Sequence, residues 1–307
     1  MKPIYPSIIK KSLIQNGNWA ESADHSELVL HIKNVCADFP SIILGYSAHF
    51  DSKAYSNLIA EKITEWGINV FMPDFAVPLS AISHAIITRN MQLALYVEEA
   101  SDSEIRLITI STHGGLFDEQ DLQTKFPSSR EKKGVIGSTD VLSSYVKHLS
   151  GFADPFIENG LSLKNIEIPF PELVDLLKNN EQLQILFEND INGLSAKINE
   201  NGCLLRLDDN GRNLTTEDIA LRIANYLKKE RFTTGSIIVP KGNTETFQLI
   251  DETIEVEGNE FDLSYQAGFS DLFLGWWPDG LIALQGSSCF GDGILSAIYY
   301  IESLRTM

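Results

Sequence analysis

The stretch SIILGYSAHFDSKAYSNLIAEKITEWGINVFMPDFAVPLSAISHA, residues 41–85, decides the fold class. An apolar run at 41–44 and another at 68–71 predict two buried strands. The residues between them predict an amphipathic helix, whose apolar face is formed by Tyr55, Leu58, Ile59, Ile63 and Trp66. A strand, a helix and a second strand in this order predict an α/β fold.

Both ends of this helix carry sequence signals. Asp51 or Ser52 can cap its N-terminus, and Gly67 stands where a helix C-terminus takes a left-handed residue. The second strand leads into a loop that reads Pro-Asp-Phe-Ala-Val-Pro at 73–78. The stretch is therefore a complete strand–helix–strand unit.

The alternation of strands and helices continues along the chain. Further strands are predicted at 93–97, 106–111, 183–187 and 236–240, and further helices at 171–178, 244–253 and from residue 292. Phe126 to Gly137 has the composition of an exposed connector, and a second boundary is placed at Arg231 to Gly235. We therefore predict three α/β domains at residues 1–130, 131–231 and 232–307.

The composition excludes several classes of protein. With 307 residues and 43% hydrophobic content the chain can bury sizeable cores. Its formal charge of −18 argues against nucleic-acid binding, which depends on clustered basic residues. No apolar run reaches the roughly 18 residues of a membrane span, and the first residues lack a signal-peptide core. Three distant cysteines without C-x-x-C spacing favour a reducing compartment, so we expect an acidic, cytoplasmic protein without membrane contact.

Two short motifs carry a family resemblance. The first is the turn GYSAHFDS at 45–52, and the second is GDGI at 291–294, before the last predicted helix. The outline resembles the α-D-phosphohexomutases, the phosphoglucomutase and phosphomannomutase superfamily, whose turn typically reads G-Y-D-x-R-x-S-S. The resemblance implies three successive α/β/α domains with mixed sheets and the absence of the family's fourth domain, because the sequence stops at Met307. It covers nearly the whole chain, with a shortened second domain.

The resemblance places Glu99 at the catalytic serine of the family's T-A-S-H-N-P loop. A carboxylate can imitate the charge of a phosphoserine but has no phosphoryl group to transfer. A two-residue shift would make Ser101 the nucleophile, although no His-Asn-Pro follows it. Ser47 stands at the motif's Asp and His49 at its Arg. A neutral imidazole lacks the bidentate fork that suits phosphate, so His49 is interpreted as a surface or capping residue and only secondarily as a substrate contact.

The resemblance also locates a metal loop, which reads D-G-D-x-D-R in the family. The matching segment at 198–204 gives Asn199, Asn201 and Cys203, or in the other register Ile198, Glu200 and Gly202. Magnesium prefers hard oxygen ligands, and neither set provides three carboxylates. A hairpin turn formed by Asn and Gly explains the residues of this segment better than a magnesium site does. We predict no cofactor, and magnesium would be expected only if this interpretation is wrong.

The family's sugar-reading loop, G-E-E-S-G, corresponds here to GWWPDG at 275–280. Trp276, Trp277 and Asp279 are therefore candidate sugar contacts. The alternative is that the tryptophans belong to a core or to an association surface, since large aromatic residues dominate buried contacts.

Three functional hypotheses remain. The first is a pseudoenzyme that has lost phosphohexomutase catalysis and acts in binding or assembly, with a protein partner or as a homo-oligomer. The second is a sensor that binds a sugar phosphate. The third is a divergent enzyme acting on phosphosugars in carbohydrate metabolism through residues such as Glu98, Glu99 and His113.

Overall fold

A computed structural model describes residues 3–117, 132–153, 165–183 and 194–304. The chain divides into two compact units, residues 1–141 and 142–307. The described residues form three β-sheets, one in the first unit and two in the second. The prediction of an α/β fold with mixed sheets is confirmed.

The first unit contains a six-stranded sheet with the order β1-β5-β4-β2-β3-β6. Its strands are β1 (Ser7–Lys10), β2 (Ser41–Tyr46), β3 (Asn69–Met72), β4 (Ala94–Ser101), β5 (Glu104–Ile110) and β6 (Ile136–Ser138). Strands β2, β3, β4 and β6 are parallel, whereas β5 pairs antiparallel with β4 and with β1. The helices are α1 (Lys11–Gln15), α2 (Ser26–Val35), α3 (Ser52–Glu65) and α4 (Leu79–Thr88).

Burial in the first unit follows the predicted apolar face of α3. Tyr55, Ile59 and Ile63 are buried in one core with the residues of β2 and β4. The helix ends at Glu65, and Gly67 adopts a φ of +77°, as predicted for the residue after a helix. On the other face of the sheet α4 comes close to Gly45, where an added Cβ atom would force the Ile82 side chain to move.

The second unit contains two four-stranded sheets, with the orders β10-β9-β8-β7 and β12-β11-β13-β14. The strands of the former are β7 (Asn165–Glu167), β8 (Leu194–Ile198), β9 (Leu205–Asp209) and β10 (Arg212–Asn213). Those of the latter are β11 (Ser236–Pro240), β12 (Thr253–Val256), β13 (Leu272–Trp277) and β14 (Leu281–Leu284). The described helices are α5 (Leu142–Phe152), α6 (Pro171–Lys178), α7 (Thr216–Glu230), α8 (Thr244–Phe247), α9 (Glu260–Phe269) and α10 (Gly293–Ser303).

Helix α10 joins the two sheets of the second unit. Every residue from Gly293 to Ser303 is buried, and the helix packs against α7, β8, β9 and β14. A helix that contacts both sheets makes their cores continuous. This contact explains why residues 142–307 are one compact unit.

Some predicted elements differ from the structure. Strand β4 continues past Val97 to Ser101, because β5 pairs with it along its length. The helix predicted at 244–253 ends at Phe247, and β12 follows because residues 253–256 pair with β11.

Other predictions fall partly outside the described residues. These are residues 184–187 of the strand predicted at 183–187 and the boundary between residues 130 and 131. The boundary between 231 and 232 lies after α7 and before β11, and both domain boundaries stay predictions. None of the described helices is long and apolar enough to cross a bilayer.

Candidate functional site

Four ionisable side chains meet in the first unit, where parallel strands β2 and β4 end. They are Lys11, His49, Asp51 and Glu99, and we name this group the Lys11 cluster. His49 and Asp51 lie in the loop between β2 and α3, Glu99 lies near the end of β4, and Lys11 is the first residue of α1. Ligands of α/β proteins commonly bind outside the carboxyl ends of parallel strands. The position makes the cluster the candidate functional site.

The β4–β5 hairpin brings Lys11 to this edge of the sheet. Glu99 pairs with Ile105 in the ladder, and the chain reverses between Ser101 and Glu104. Strand β1 pairs with β5, and the backbone N–H of Lys11 donates to Ser103 O at 2.9 Å. The segment that resembles a catalytic loop is therefore a strand and a tight turn.

Lys11 is the charge centre of the cluster. Its Nζ lies 3.0 Å from Asp51 Oδ2 and 2.7 Å from Glu99 Oε1, and its side chain is only 10% exposed. Burial opposes the lysine charge, but the hydrogen bonds and attraction of the two carboxylates outweigh it and raise the pKa of Lys11 above its ordinary value. His49 Nε2 contacts the other oxygen of Glu99. Both Glu99 oxygens therefore have partners inside the protein.

Glu99 and His49 are both candidate site residues from the sequence, and the structure brings them into contact. His49 caps no helix: its ring contacts Glu99 and lies 4.9 Å from the ring of the exposed Phe50. Asp51, a candidate cap of α3 in the sequence, makes no capping hydrogen bond and contacts Lys11 instead. The sequence contained no signal for Lys11, because its place depends on the pairing of β1 with β5.

Ser101 lies outside the cluster. It is exposed at the end of β4, and its hydroxyl contacts Glu104 at 3.4 Å and Ser103 at 3.5 Å. Neither of these two contacts of the Ser101 hydroxyl involves a histidine. The role of Ser101 as a nucleophile stays a prediction.

Ser47, Glu98 and His113 are also held by neighbours of their own. Ser47 is buried, and its hydroxyl lies 2.8 Å from that of Ser52. Glu98 accepts a hydrogen bond from Arg106 Nη1 at 2.7 Å. His113 lies beside Ser111 in the turn after β5, at 2.8 Å from its hydroxyl. Glu98 and His113 are thus paired with residues other than Glu99.

The segment resembling a metal loop is the turn between β8 and β9. Asn199 Oδ1 accepts a hydrogen bond from the Leu204 N–H, and Asn201 Oδ1 accepts one from the Cys203 N–H, both at 3.0 Å. Gly202 has a φ of +81°, and Cys203 is buried. The two amide oxygens stabilise their own turn and leave no set of hard ligands, so the residues present do not fit magnesium.

Among the described residues, one group of three metal-ligand side chains does come together, and it belongs to the Lys11 cluster. Ligand atoms of His49, Asp51 and Glu99 lie within 4.8 Å of one another. The Lys11 ammonium already contacts both carboxylates. A metal ion at this position would compete with the lysine for the same oxygens.

The segment resembling a sugar loop is the end of β13 and the turn to β14. Trp276 is 3% exposed, its ring lies 5.5 Å from that of Phe247, and its Nε1 donates to Thr216 Oγ1 at 3.3 Å. The Trp276 ring therefore packs in the core, and its role as a sugar contact stays a prediction. Trp277 is half-buried and Asp279 is exposed, and their role as sugar contacts stays a prediction.

The GDGI motif has a structural role in the second unit. Asp292 is fully buried and caps α10, accepting hydrogen bonds from Ile294 N and Leu295 N. Tyr145 donates to both carboxylate oxygens at 2.8 and 2.9 Å. Burial raises the pKa of Asp292. The Gly293 N–H donates to Gly202 O, which fastens the motif to the β8–β9 turn.

No family model and no curated protein matches this sequence, whereas solved structures match its fold. A phosphoglucomutase/phosphomannomutase family protein of Burkholderia thailandensis gives a TM-score of 0.71 at 11% identity, over 98% of this chain and 76% of that chain. A protein of Thermus thermophilus assigned as a phosphomannomutase gives 0.68 at 12% identity, over 90% and 76%. An N-acetylphosphoglucosamine mutase of Aspergillus fumigatus, solved with glucose 1,6-bisphosphate, gives 0.50 at 10% identity, over 75% and 73%. The chain therefore has the fold of the phosphohexomutase superfamily.

Proposed function

We propose that this chain is a pseudoenzyme on the phosphohexomutase fold, without phosphoryl transfer and with a role in binding or assembly. The observation that carries the proposal is the state of Glu99. The residue that the resemblance places at the nucleophile is part of a strand, and its carboxylate contacts Lys11 and His49. In this proposal Glu99 stands where the family has the serine that carries the phosphoryl group, and both of its carboxylate oxygens are occupied by Lys11 and His49.

The charges of the cluster support the same conclusion. In phosphoryl transfer a metal ion neutralises the negative charge that moves between oxygens. Here the Lys11 ammonium supplies that positive charge permanently, at hydrogen-bond distance from Glu99 and Asp51. The β8–β9 turn uses its amides internally and offers no alternative metal site. A protein with this arrangement keeps the scaffold for contacts with other molecules.

The test is a phosphomutase assay with glucose 1-phosphate or mannose 1-phosphate, magnesium and glucose 1,6-bisphosphate. We expect no metal-dependent product from the wild-type chain or from Glu99→Ser, while an active phosphoglucomutase serves as the positive control. Slow metal-dependent turnover that Ser101→Ala abolishes would overturn the proposal. Turnover that Glu99→Gln abolishes would instead assign Glu99 a catalytic role.

The second candidate function is a sugar-phosphate sensor. Its support is the Aspergillus fumigatus neighbour, which was solved with glucose 1,6-bisphosphate. A ligand that binds only the folded chain raises the melting temperature. We expect a sensor to show a saturable increase with a hexose phosphate, and an unchanged melting temperature across glucose 1-phosphate, mannose 1-phosphate and glucose 1,6-bisphosphate would count against this function.

A further inference from the structure

One face of the β7–β10 sheet carries an open groove. Along β8 and β9 the buried residues alternate with polar ones, so the core-facing side is apolar and the opposite side is polar. The groove on the polar side has a volume of about 570 Å³. We name it the sheet groove, and its polar lining consists of Glu167, Ser195, Lys197, Arg206, Asp208 and Asn213.

Two cations face each other across the middle of the sheet groove. Lys197 of β8 and Arg206 of β9 are direct partners in the antiparallel register. Side chains in such positions have Cβ atoms about 4.5–5.5 Å apart, and like charges there destabilise the pairing. A sheet with this register tolerates the repulsion only at a cost in stability, which an anion between the two groups would offset.

The two cations differ in their partners. Lys197 Nζ lies 3.0 Å from Glu167 Oε2 across β7 and β8. Within the described ranges, the Arg206 guanidinium has neither an ion pair nor a hydrogen bond. Arg206 is also exposed. The guanidinium therefore presents its fork of donors to the groove.

We propose that the sheet groove binds a compact organic oxyanion, a phosphate or carboxylate carried on a polar body. The guanidinium can form two parallel hydrogen bonds with such a group, and Lys197 adds a second positive charge. Ser195 and Asn213 add a hydroxyl and an amide that suit the polar body. The volume lies within the roughly 300–1,000 Å³ of small-molecule sites.

The acidic residues of the groove limit the ligand. Glu167 and Asp208 lie beside the two cations, Glu167 next to Lys197 in the β7–β8 pairing and Asp208 two residues beyond Arg206. A long polyanion would place charge against these carboxylates, and the chain's net charge of −18 repels it further. The groove therefore favours one or two adjacent negative charges over a nucleic acid or an acidic protein segment.

The experiment is a calorimetric titration of the full chain with inorganic phosphate and, separately, with malonate, at constant ionic strength. Arg206→Gln is the test variant. Arg212→Gln is the matched control, because Arg212 is an exposed arginine of the same sheet outside the groove lining. We expect saturable binding of at least one probe, weakened about tenfold to a hundredfold by Arg206→Gln and within about twofold of wild type in Arg212→Gln.

The two probes assign the ligand class, since phosphate binding alone indicates a phosphate ester and malonate binding alone a carboxylate. Absence of saturable binding by both probes, or equal weakening in both variants, would overturn the proposal. Urea unfolding guards against misfolding: Arg206→Gln should be at least as stable as wild type, because it removes the repulsion from Lys197. The residues of the sheet groove differ from the residues that carry the proposed function, so either proposal can fail alone.

Discussion

Replacing Lys11 by methionine removes the cation of the Lys11 cluster while keeping most of its aliphatic stem. The lysine side chain is 10% exposed, and its partners Asp51 and Glu99 are 32% and 20% exposed. Removing one partner of a buried ion pair costs about 3–5 kcal/mol, because the other charge stays buried. The exposure of Asp51 reduces this figure. We expect the free energy of unfolding to fall by about 2–3 kcal/mol.

Urea denaturation followed by circular dichroism measures this loss. Lys10→Met is the matched control, because Lys10 is the neighbouring lysine and is exposed, so its replacement should change the stability by less than about 0.5 kcal/mol. Equal losses in the two variants would refute the reasoning. A cycle with Glu99→Gln should show a coupling energy, since the two groups are in contact.

The pH dependence provides a second measurement of the same cluster. Lys11 has a higher pKa in the folded state than its value of 10.5 in the unfolded chain. Its charge therefore contributes fully to the free energy of unfolding below pH 10.5, and this contribution is lost as pH rises through the folded pKa. Wild type should therefore lose stability above about pH 10.5 in excess of Lys11→Met. Parallel curves for the two proteins would show that the lysine charge contributes nothing.

Three further predictions concern the polar residues His31, Asp292 and Asn199. Burial lowers the pKa of His31 from 6.5 to about 4, so only the unfolded chain binds the proton and the free energy of unfolding should fall by roughly 3 kcal/mol between pH 6.5 and 4. Urea titrations of His31→Leu should lack this slope. Asp292→Ala should cost about 3–5 kcal/mol and lower the melting temperature, because the α10 cap is lost and Tyr145 loses its acceptor; a loss below about 1 kcal/mol would contradict this. Asn199→Ala should cost about 1 kcal/mol through its bond to Leu204, with no effect of magnesium on the melting temperature of either protein.

Much of the fold was predictable because it depends on local patterns. The strand at 41–46 and helix α3 follow from an apolar run and a helical spacing that are complete within a few residues. Strand β12 was missed because an edge strand of four residues has little pattern of its own and forms by pairing with β11. The sequence also could not show whether Trp276 is buried, because its exposure depends on how β13 packs in the folded chain.

The sequence by itself determined the α/β class, the phosphohexomutase-like order of elements and the positions whose residues differ from the family's typical motifs. These depend on residue identity and short spacing, which the chain displays directly. Only the tertiary structure decided which side chains surround Glu99. Lys11 reaches Glu99 across 88 positions of sequence because β1 pairs with β5, and no periodicity encodes such a contact. The attraction between Lys11 and the two carboxylates depends on their distance and on their burial. The Lys11 cluster therefore exists only once the sheet has formed.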